Sequence, residues 1–199
     1  MKALILVDLQ NDFMPGGPLA VPDGNAVVPV ALRLIPEFEF VVATQDFHPA
    51  NHGSFASTHP GVSIGDSFEL NGLNQIAWPE HCIQGTHGAQ LVDELSDQKI
   101  DQIVQKGTDV EIDSYSGFFD NGRRKATELS ELLKSQRVTQ VDIMGLATDY
   151  CVKFTALDAA DLGFKTRLIL EGCRGVELNG GDTEKAIKDM KAAGVEIVV

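Results

Sequence analysis

The feature that most constrains the fold is a regular alternation of short apolar runs and amphipathic stretches along the chain. The apolar runs predict six strands, at residues 2–8, 38–44, 101–107, 140–146, 164–170 and 194–199. Helical periodicity lies between them, at residues 24–35, 88–96, 124–136, 148–163 and 181–194. Strands without a clean apolar–polar alternation are typical of a sheet that is covered on both faces. The sequence therefore predicts an α/β fold with three α/β/α layers and a six-stranded, mainly parallel sheet.

The length of the chain predicts one domain over residues 1–199, because 199 residues without an internal repeat or a linker are enough for one core. One region differs from the rest. Residues 45–87 are rich in Gly, Pro, His, Asn and Ser, show little periodicity and contain the only tryptophan. A long irregular stretch inside a compact domain usually has a function, so we expect this region to serve a metal or a substrate.

The charge distribution indicates the class of partner. The chain has 16 Lys and Arg against 29 Asp and Glu, a formal net charge of −13, and no basic block. This argues against nucleic acid and anionic membrane surfaces and favours a small molecule. No apolar run approaches the length of a membrane span, and the N-terminal run predicts a strand rather than a signal peptide. Three scattered cysteines give no disulfide framework, from which we expect a cytoplasmic setting.

Chemically useful residues follow four of the predicted strands. Asp8, Asp46, Lys106 and residues 147–151 each come directly after an apolar run or at its end. In parallel α/β sheets, ligands bind outside the carboxyl ends of the strands. We therefore expect these four positions to lie close together in one site.

Cys151 is the most reactive residue type in this set, and its position has two interpretations. With Thr148 or Asp149 as the N-cap, Cys151 lies in the first helical turn, where the helix dipole lowers the pKa of a thiol and free N–H groups can bind an oxyanion. A free cysteine can equally be a small core residue. Lys106 could stabilise a thiolate and Asp8 could accept its proton, a combination that suits acyl transfer through a thioester. Lys106 could instead be a solvated charge, and Asp8 could instead be an N-cap or a turn former.

The region 45–87 contains a spacing that is plausible for a metal site. An Asp-x-His pair is followed by a histidine four residues on and by another later in the chain: Asp46, His48, His52 and His81. Such a set suits a divalent zinc, iron or manganese ion, although loop histidines are often merely exposed. His59 and His87 follow no such spacing and are expected at the surface or outside the ligand set.

Several long segments resemble one known family. They are "LVDLQNDF", "VVATQDFHPANHGSF", "WPEHCIQGTHGA", "QKGTD…YSGFFD", "MGLATDYCVKFTALDA" and "EGCRGV". Across nearly the whole chain the sequence resembles the nicotinamidases, within the isochorismatase-like hydrolase superfamily. That resemblance implies a metal-dependent hydrolysis of nicotinamide to nicotinate and ammonia through a cysteine thioester, in NAD salvage, with pyrazinamide as a further substrate. The resemblance also leads us to expect a homo-oligomer.

The resemblance assigns roles to individual positions. Asp8, Lys106 and Cys151 match the catalytic triad. Asp46, His48, His52 and His81 match the ligands of one zinc, iron or manganese ion, of which His52 is the most variable in the family. The Leu146–Ala147 peptide matches a cis bond, and the N–H groups of Ala147 and Cys151 match an oxyanion hole. Phe13, Trp78 and Tyr115 match the walls of the ring pocket.

Three other functions remain as alternatives. A cysteine amidase for N-carbamoyl or ureido compounds would use the same nucleophile, but it would not need the set Asp46, His48 and His81. An isochorismatase would not need Cys151. A non-catalytic binding protein on the same fold would not need Asp8 and Lys106 beside that cysteine.

Overall fold

The computed structural model describes all residues, 1–199. Six strands form one sheet in which every neighbouring pair is parallel, in the order β5-β2-β1-β6-β7-β8. The bounds are β1 Lys2–Val7, β2 Phe40–Asp46, β5 Gln102–Lys106, β6 Gln140–Leu146, β7 Lys165–Arg174 and β8 Glu196–Val198. The predicted α/β fold is confirmed, and the sheet is entirely rather than mainly parallel.

Four α-helices accompany the sheet: α1 Val27–Leu34, α2 Leu129–Ser135, α3 Lys153–Asp161 and α4 Asp182–Ala192. The chain runs outward from β1 through β2 to β5, returns to β6 beside β1, and then runs outward through β7 to β8. Because parallel crossovers are right-handed, these opposite directions place α1 on one face of the sheet and α3 and α4 on the other. None of the helices combines the length and the apolar content needed to cross a membrane.

The central strands are apolar because both of their faces are covered. Residues 3–7 of β1 are fully buried, and every residue of β6 is buried. The connections from these two strands run in opposite directions across the sheet, from β1 toward β2 and from β6 toward β7, so a crevice opens at their carboxyl ends. Asp8 lies at one side of this crevice, and the segment after Leu146 lies at the other.

The predicted helix at residues 88–96 is wrong, since only a short 3₁₀ turn forms there, Asp93–Leu95. The backbone of this stretch pairs with the segment after β1 instead. Asp12 N–H donates to Gly88 O at 3.1 Å, and Asn11 N–H donates to Gln90 O at 3.1 Å. Gly88 lies against the Asp12 carboxylate, where a Cβ atom would come within 2.1 Å of an oxygen. Long-range pairing therefore overrides the local helical pattern.

The predicted helix at residues 124–136 begins later than expected, at Leu129. The Asp120 carboxylate accepts hydrogen bonds from the N–H groups of Gly122, Arg124 and Lys125 at 2.7–3.0 Å. These bonds hold the first residues of the predicted helix in a turn.

Residues 45–87 contain more regular structure than their composition predicts. Strands β3 Ser67–Leu70 and β4 Leu73–Ile76 form an antiparallel hairpin. Its two-residue turn is Asn71-Gly72, with φ of 49° and 82°. Positive φ at both turn positions is typical of a tight hairpin, and Asn-Gly is its strongest sequence signal. The expectation of an irregular stretch was wrong here, although the signal was present.

Candidate active site

The four predicted strand-end positions converge. Asp8 follows β1, Asp46 ends β2, Lys106 ends β5, and Cys151 lies in a π-helical turn, Thr148–Val152, between β6 and α3. All four side chains are buried. Their elements are neighbours in the sheet, which is why positions far apart in sequence reach one crevice.

Lys106 is the centre of the buried charges. Its Nζ atom lies 2.9 Å from Asp8 Oδ2 and 2.5 Å from Asp46 Oδ1. It donates to Ser114 O at 2.9 Å and lies 3.4 Å from Cys151 Sγ. Burial alone would lower the pKa of this ammonium group, but the two carboxylates outweigh burial and raise its pKa well above the usual range. A permanent cation therefore lies beside the thiol.

Asp8 is placed to act as a base. The Thr44 hydroxyl donates to Asp8 Oδ1 at 2.6 Å, while Oδ2 faces Lys106. A carboxylate oxygen of Asp8 lies within 4.8 Å of Cys151 Sγ. Burial, only partly offset by Lys106, raises the pKa of Asp8 from 3.8 to about 6. A base with a pKa near neutrality is well matched to proton transfer at physiological pH.

The predicted lowering of the Cys151 pKa is wrong for the resting protein. Burial raises the pKa of this thiol well above its usual range, and the attraction of Lys106 does not compensate for it. The free energy needed to remove a thiolate from water exceeds the stabilisation that one helix N-terminus supplies. The resting group is therefore a thiol, and its proton has to leave as sulfur attacks. Asp8 is the adjacent acceptor.

The predicted N-cap role of Thr148 or Asp149 is also wrong. The π turn is preceded by Ala147, and neither side chain caps it. The Asp149 carboxylate instead accepts the N–H groups of Val176 and Glu177, at 2.9 and 2.8 Å. Asp149 thus connects the start of the helical segment to the chain after β7.

The backbone before the π turn has the geometry that the family resemblance implies. The peptide bond between Leu146 and Ala147 is cis. Ala147 and Cys151 both line the cleft that opens at this end of the sheet. The assignment of their N–H groups to an oxyanion hole remains a prediction.

Asp46, His48 and His81 form a compact group of possible metal ligands. Asp46 Oδ2 lies 3.8 Å from His48 Nε2 and 3.9 Å from His81 Nε2. The other ring nitrogens are held by carbonyl groups, His48 Nδ1 by Gly107 O and His81 Nδ1 by Pro79 O, each at 2.8 Å. These bonds direct both Nε2 atoms toward the same point, as in metal-binding histidines. Gly107 is required here, because a Cβ atom would lie 2.4 Å from the His48 ring.

His52 is beside this group but offset from it. Its ligand atom groups with those of His48 and Asp113, within 4.8 Å of one another. His52 Nδ1 contacts Ser54 Oγ at 2.8 Å, while Nε2 is buried and has no hydrogen-bond partner. His48 Nε2 is likewise buried without a partner. Buried nitrogens without partners are rare in proteins, and that of His48, which faces Asp46, fits a donor to a divalent cation.

The charges around the histidines also fit a cation. Burial lowers the pKa of His81 to about 4 and lowers the pKa of His52, so both rings are neutral and able to ligate at pH 7. Burial would lower the pKa of His48 as well, but Asp46 outweighs it and raises that pKa. Despite burial, Lys106 and the histidines hold the pKa of Asp46 well below its usual range.

A cleft opens onto these groups. It is lined by Phe13, Leu19, Val21, Asp46, Trp78, His81, Asp113, Tyr115, Ala147, Tyr150, Cys151 and Val176. The three predicted wall residues, Phe13, Trp78 and Tyr115, are all among them. Trp78 packs edge-on against Tyr150, with ring centroids 4.9 Å apart, and donates to the Tyr115 hydroxyl at 3.1 Å. A flat apolar slot thus leads to a few polar groups, which is typical of a small-molecule site.

Sequence reasoning missed residues that support the site. The Gln10 side chain makes two hydrogen bonds to the backbone of Asp46. Its amide nitrogen donates to Asp46 O, and its carbonyl oxygen accepts the Asp46 N–H, both at 2.8 Å. Thr44 orients Asp8, and Asp113 adds a buried carboxylate to the cleft. Gln10 follows the first strand closely, so the strand-end rule could have included it. Nothing local in the sequence marks Asp113.

Comparison with known proteins gives consistent matches over the whole chain. Residues 2–198 match the family model for the isochorismatase domain. The chain is 51% identical to the nicotinamidase of Escherichia coli strain K12, over 98% of this chain and 93% of that protein. A solved Acinetobacter nicotinamidase/pyrazinamidase superposes with a TM-score of 0.96 at 43% identity, covering 99% of this chain and 95% of the other. The pyrazinamidase of Pyrococcus horikoshii in complex with zinc superposes with a TM-score of 0.81 at 38% identity, covering 99% and 98%.

Proposed function

The chain belongs to the isochorismatase family, and from that premise we propose that it acts as a nicotinamidase, an amidohydrolase that converts nicotinamide to nicotinate and ammonia. One observation carries the assignment. The Lys106 ammonium joins Asp8 at 2.9 Å and lies 3.4 Å from the Cys151 sulfur, on a cleft with aromatic walls that also contains Asp46 and His81 of the candidate metal group. A neutral aromatic amide needs such a slot for its ring and a nucleophile near its carboxamide carbon.

The proposed reaction has two stages. Asp8 accepts the Cys151 proton as sulfur attacks the carboxamide carbon, and Lys106 stabilises the charges on both residues. The N–H groups of Ala147 and Cys151 bind the developing oxyanion. Asp8 then gives its proton to the departing nitrogen, the carbon–nitrogen bond breaks, and ammonia leaves a thioester. Water then gives a proton to Asp8 as it attacks the thioester, nicotinate is released, and Asp8 passes that proton to the Cys151 sulfur.

We propose that Asp46, His48 and His81 hold one divalent cation, with His52 adjacent to it. Zinc is supported by the zinc complex of the Pyrococcus horikoshii relative, and iron and manganese are the alternatives. When bound, such an ion supplies a Lewis-acid contact for the pyridine nitrogen of the substrate. Asp46 would then serve two partners at once, since its Oδ1 atom contacts Lys106 and its Oδ2 atom faces the histidines.

The wider role of the protein follows from the same assignment. We propose that residues 1–199 act as one domain in NAD salvage in the cytoplasm and that pyrazinamide, which has a similar flat ring and carboxamide, is also hydrolysed. A homo-oligomer is proposed from the family alone. The net charge of −13 supports a small-molecule partner rather than nucleic acid or a membrane surface.

The decisive assay is ammonia release from nicotinamide by the metal-replete protein, before and after chelation. We expect release that stops in Cys151→Ala and persists in Cys173→Ala, a matched change at a buried cysteine outside the cleft. An N-carbamoyl amide assayed in parallel tests the nearest alternative. No release from nicotinamide by the unaltered protein would refute the assignment.

A further inference from the structure

A buried glutamine behind the cleft contacts two of its walls. Gln75 lies on β4 of the small hairpin, is 2% exposed and does not itself line the cleft. Its side-chain nitrogen lies 2.9 Å from Asp113 Oδ2, 3.1 Å from the Tyr115 hydroxyl and 2.9 Å from the Ile76 carbonyl oxygen, so its two N–H groups are shared among three acceptors. Asp113 and Tyr115 are both cleft residues. One amide group therefore connects a polar wall to an aromatic wall.

A second amide closes the network from the other side. Asn121 Nδ2 lies 3.4 Å from Gln75 Oε1, and Asn121 Oδ1 accepts the Tyr115 N–H at 2.9 Å. The Asn121 N–H donates to Asp113 O at 2.8 Å. The Tyr115 hydroxyl also accepts the Trp78 indole N–H at 3.1 Å, so the network includes the ring that closes the slot.

The chemistry of Gln75 suits this position better than that of its isosteres. The Asp113 carboxylate is 3% exposed, and its second oxygen accepts the Ser114 N–H at 2.7 Å. A buried carboxylate needs donors on both oxygens, and a neutral amide supplies one without adding charge. A methionine would leave one oxygen without its donor, and a glutamate would place a second anion against Asp113.

We propose that Gln75 is a positioning residue, which fixes Tyr115 and Trp78 relative to the Asp113 carboxylate and thereby sets the affinity of the slot for the substrate ring. The inference rests on the nicotinamide hydrolysis proposed above. Gln75 makes no hydrogen bond to Asp8, Lys106 or Cys151. Its loss therefore affects the binding of the ring more than the covalent steps.

The test compares Gln75→Met with the unaltered protein and with Glu69→Gln, an exposed position on the same hairpin. For Gln75→Met we expect a KM for nicotinamide raised about tenfold, as for a lost hydrogen bond to a charged group, with kcat changed less than about twofold. Nicotinate affinity, titrated through the emission of Trp78, the only tryptophan, should weaken equally. Glu69→Gln should change none of these values.

Unchanged KM and nicotinate affinity in Gln75→Met would overturn the proposal, as would a fall in kcat at constant KM. If Gln75→Met does not fold, Gln75→Asn, which keeps a neutral amide but shortens its reach, is judged by the same criteria, with a smaller increase in KM expected. The emission of Trp78 without ligand should also differ in the Gln75 variants and not in Glu69→Gln. That readout needs no substrate, so it separates failure of this inference from failure of the proposed function, which shows as no ammonia release by the unaltered protein.

Discussion

The two halves of the site are built differently. Asp8, Lys106 and Cys151 stand at or beside the ends of β1, β5 and β6, so the sheet fixes their spacing. His48 and His81 lie on the connection after β2, and each is oriented by a single carbonyl group. Asp46 belongs to both halves, because one carboxylate oxygen contacts Lys106 and the other faces the histidines.

In the proposed reaction, the covalent steps therefore occur at the strand ends, and the ring is held by the loops. The shared carboxylate also means that the two halves are electrostatically linked. Removing a cation from the histidine side would leave Asp46 as a stronger partner for Lys106 and change the field at Cys151. Variants can therefore be ordered by which half they disturb.

The largest effect is expected from Lys106→Met, which disables the sheet half. We expect kcat to fall by about 10⁴-fold, as for loss of one member of a catalytic set, because nothing else stabilises the thiolate. The protein should still bind one equivalent of metal by elemental analysis, since the ligand side chains remain. Lys99→Met, at an exposed lysine, is the control and should keep full activity. Loss of metal together with activity would show that the halves cannot be separated.

Asp46→Asn tests the link itself. This change removes charge from both halves, so we expect kcat/KM to fall by about 10³-fold and metal to be lost during dialysis. Added zinc should restore only part of the activity, because Lys106 still lacks one of its two carboxylate partners. Full recovery with excess zinc would mean that the contact with Lys106 has no catalytic role.

The loop half is tested by comparing His81→Ala with His52→Ala. His81 faces Asp46 at 3.9 Å, whereas His52 groups with His48 and Asp113. We expect zinc affinity, measured by competition with a chromogenic chelator, to fall by about 10²-fold or more in His81→Ala and by about tenfold or less in His52→Ala. Equal losses would place His52 in the ligand set.

The smallest effect expected is a displacement of the pH profile. Asp8 acts as a base only when ionised, and its pKa is raised to about 6, so kcat/KM should fall as pH decreases through about 6. The Thr44 hydroxyl stabilises the ionised form and lowers this pKa. Thr44→Val should therefore move the acid limb to higher pH by about one unit. An acid limb near pH 4 in the unaltered protein would contradict the raised pKa of Asp8, and an acid limb that Thr44→Val leaves in place would contradict its base role.

The sequence predicts the sheet half well because its signals are local. The run at residues 140–146 coincides with β6, and the rule for strand ends correctly brings Asp8, Lys106 and Cys151 together. The resemblance adds the cis bond and the cleft walls, which no local pattern contains.

The remaining features depend on contacts between distant segments. The Asp149 carboxylate accepts hydrogen bonds from backbone N–H groups 27 and 28 residues further on. Its local position therefore suggests an N-cap role that it does not have. Burial raises the pKa of Cys151, and burial is a property of the assembled cleft rather than of the turn. Gln75 and Asp113 are 38 residues apart, and only the folded chain shows that they meet.

The most direct test of the central claim is mass spectrometry of the protein quenched in acid during turnover of nicotinamide. We expect a nicotinoyl group on the peptide that contains Cys151, present in the unaltered protein and in Cys173→Ala and absent from Cys151→Ala. Continued turnover by Cys151→Ala, or an acyl group on another residue, would contradict a Cys151 thioester.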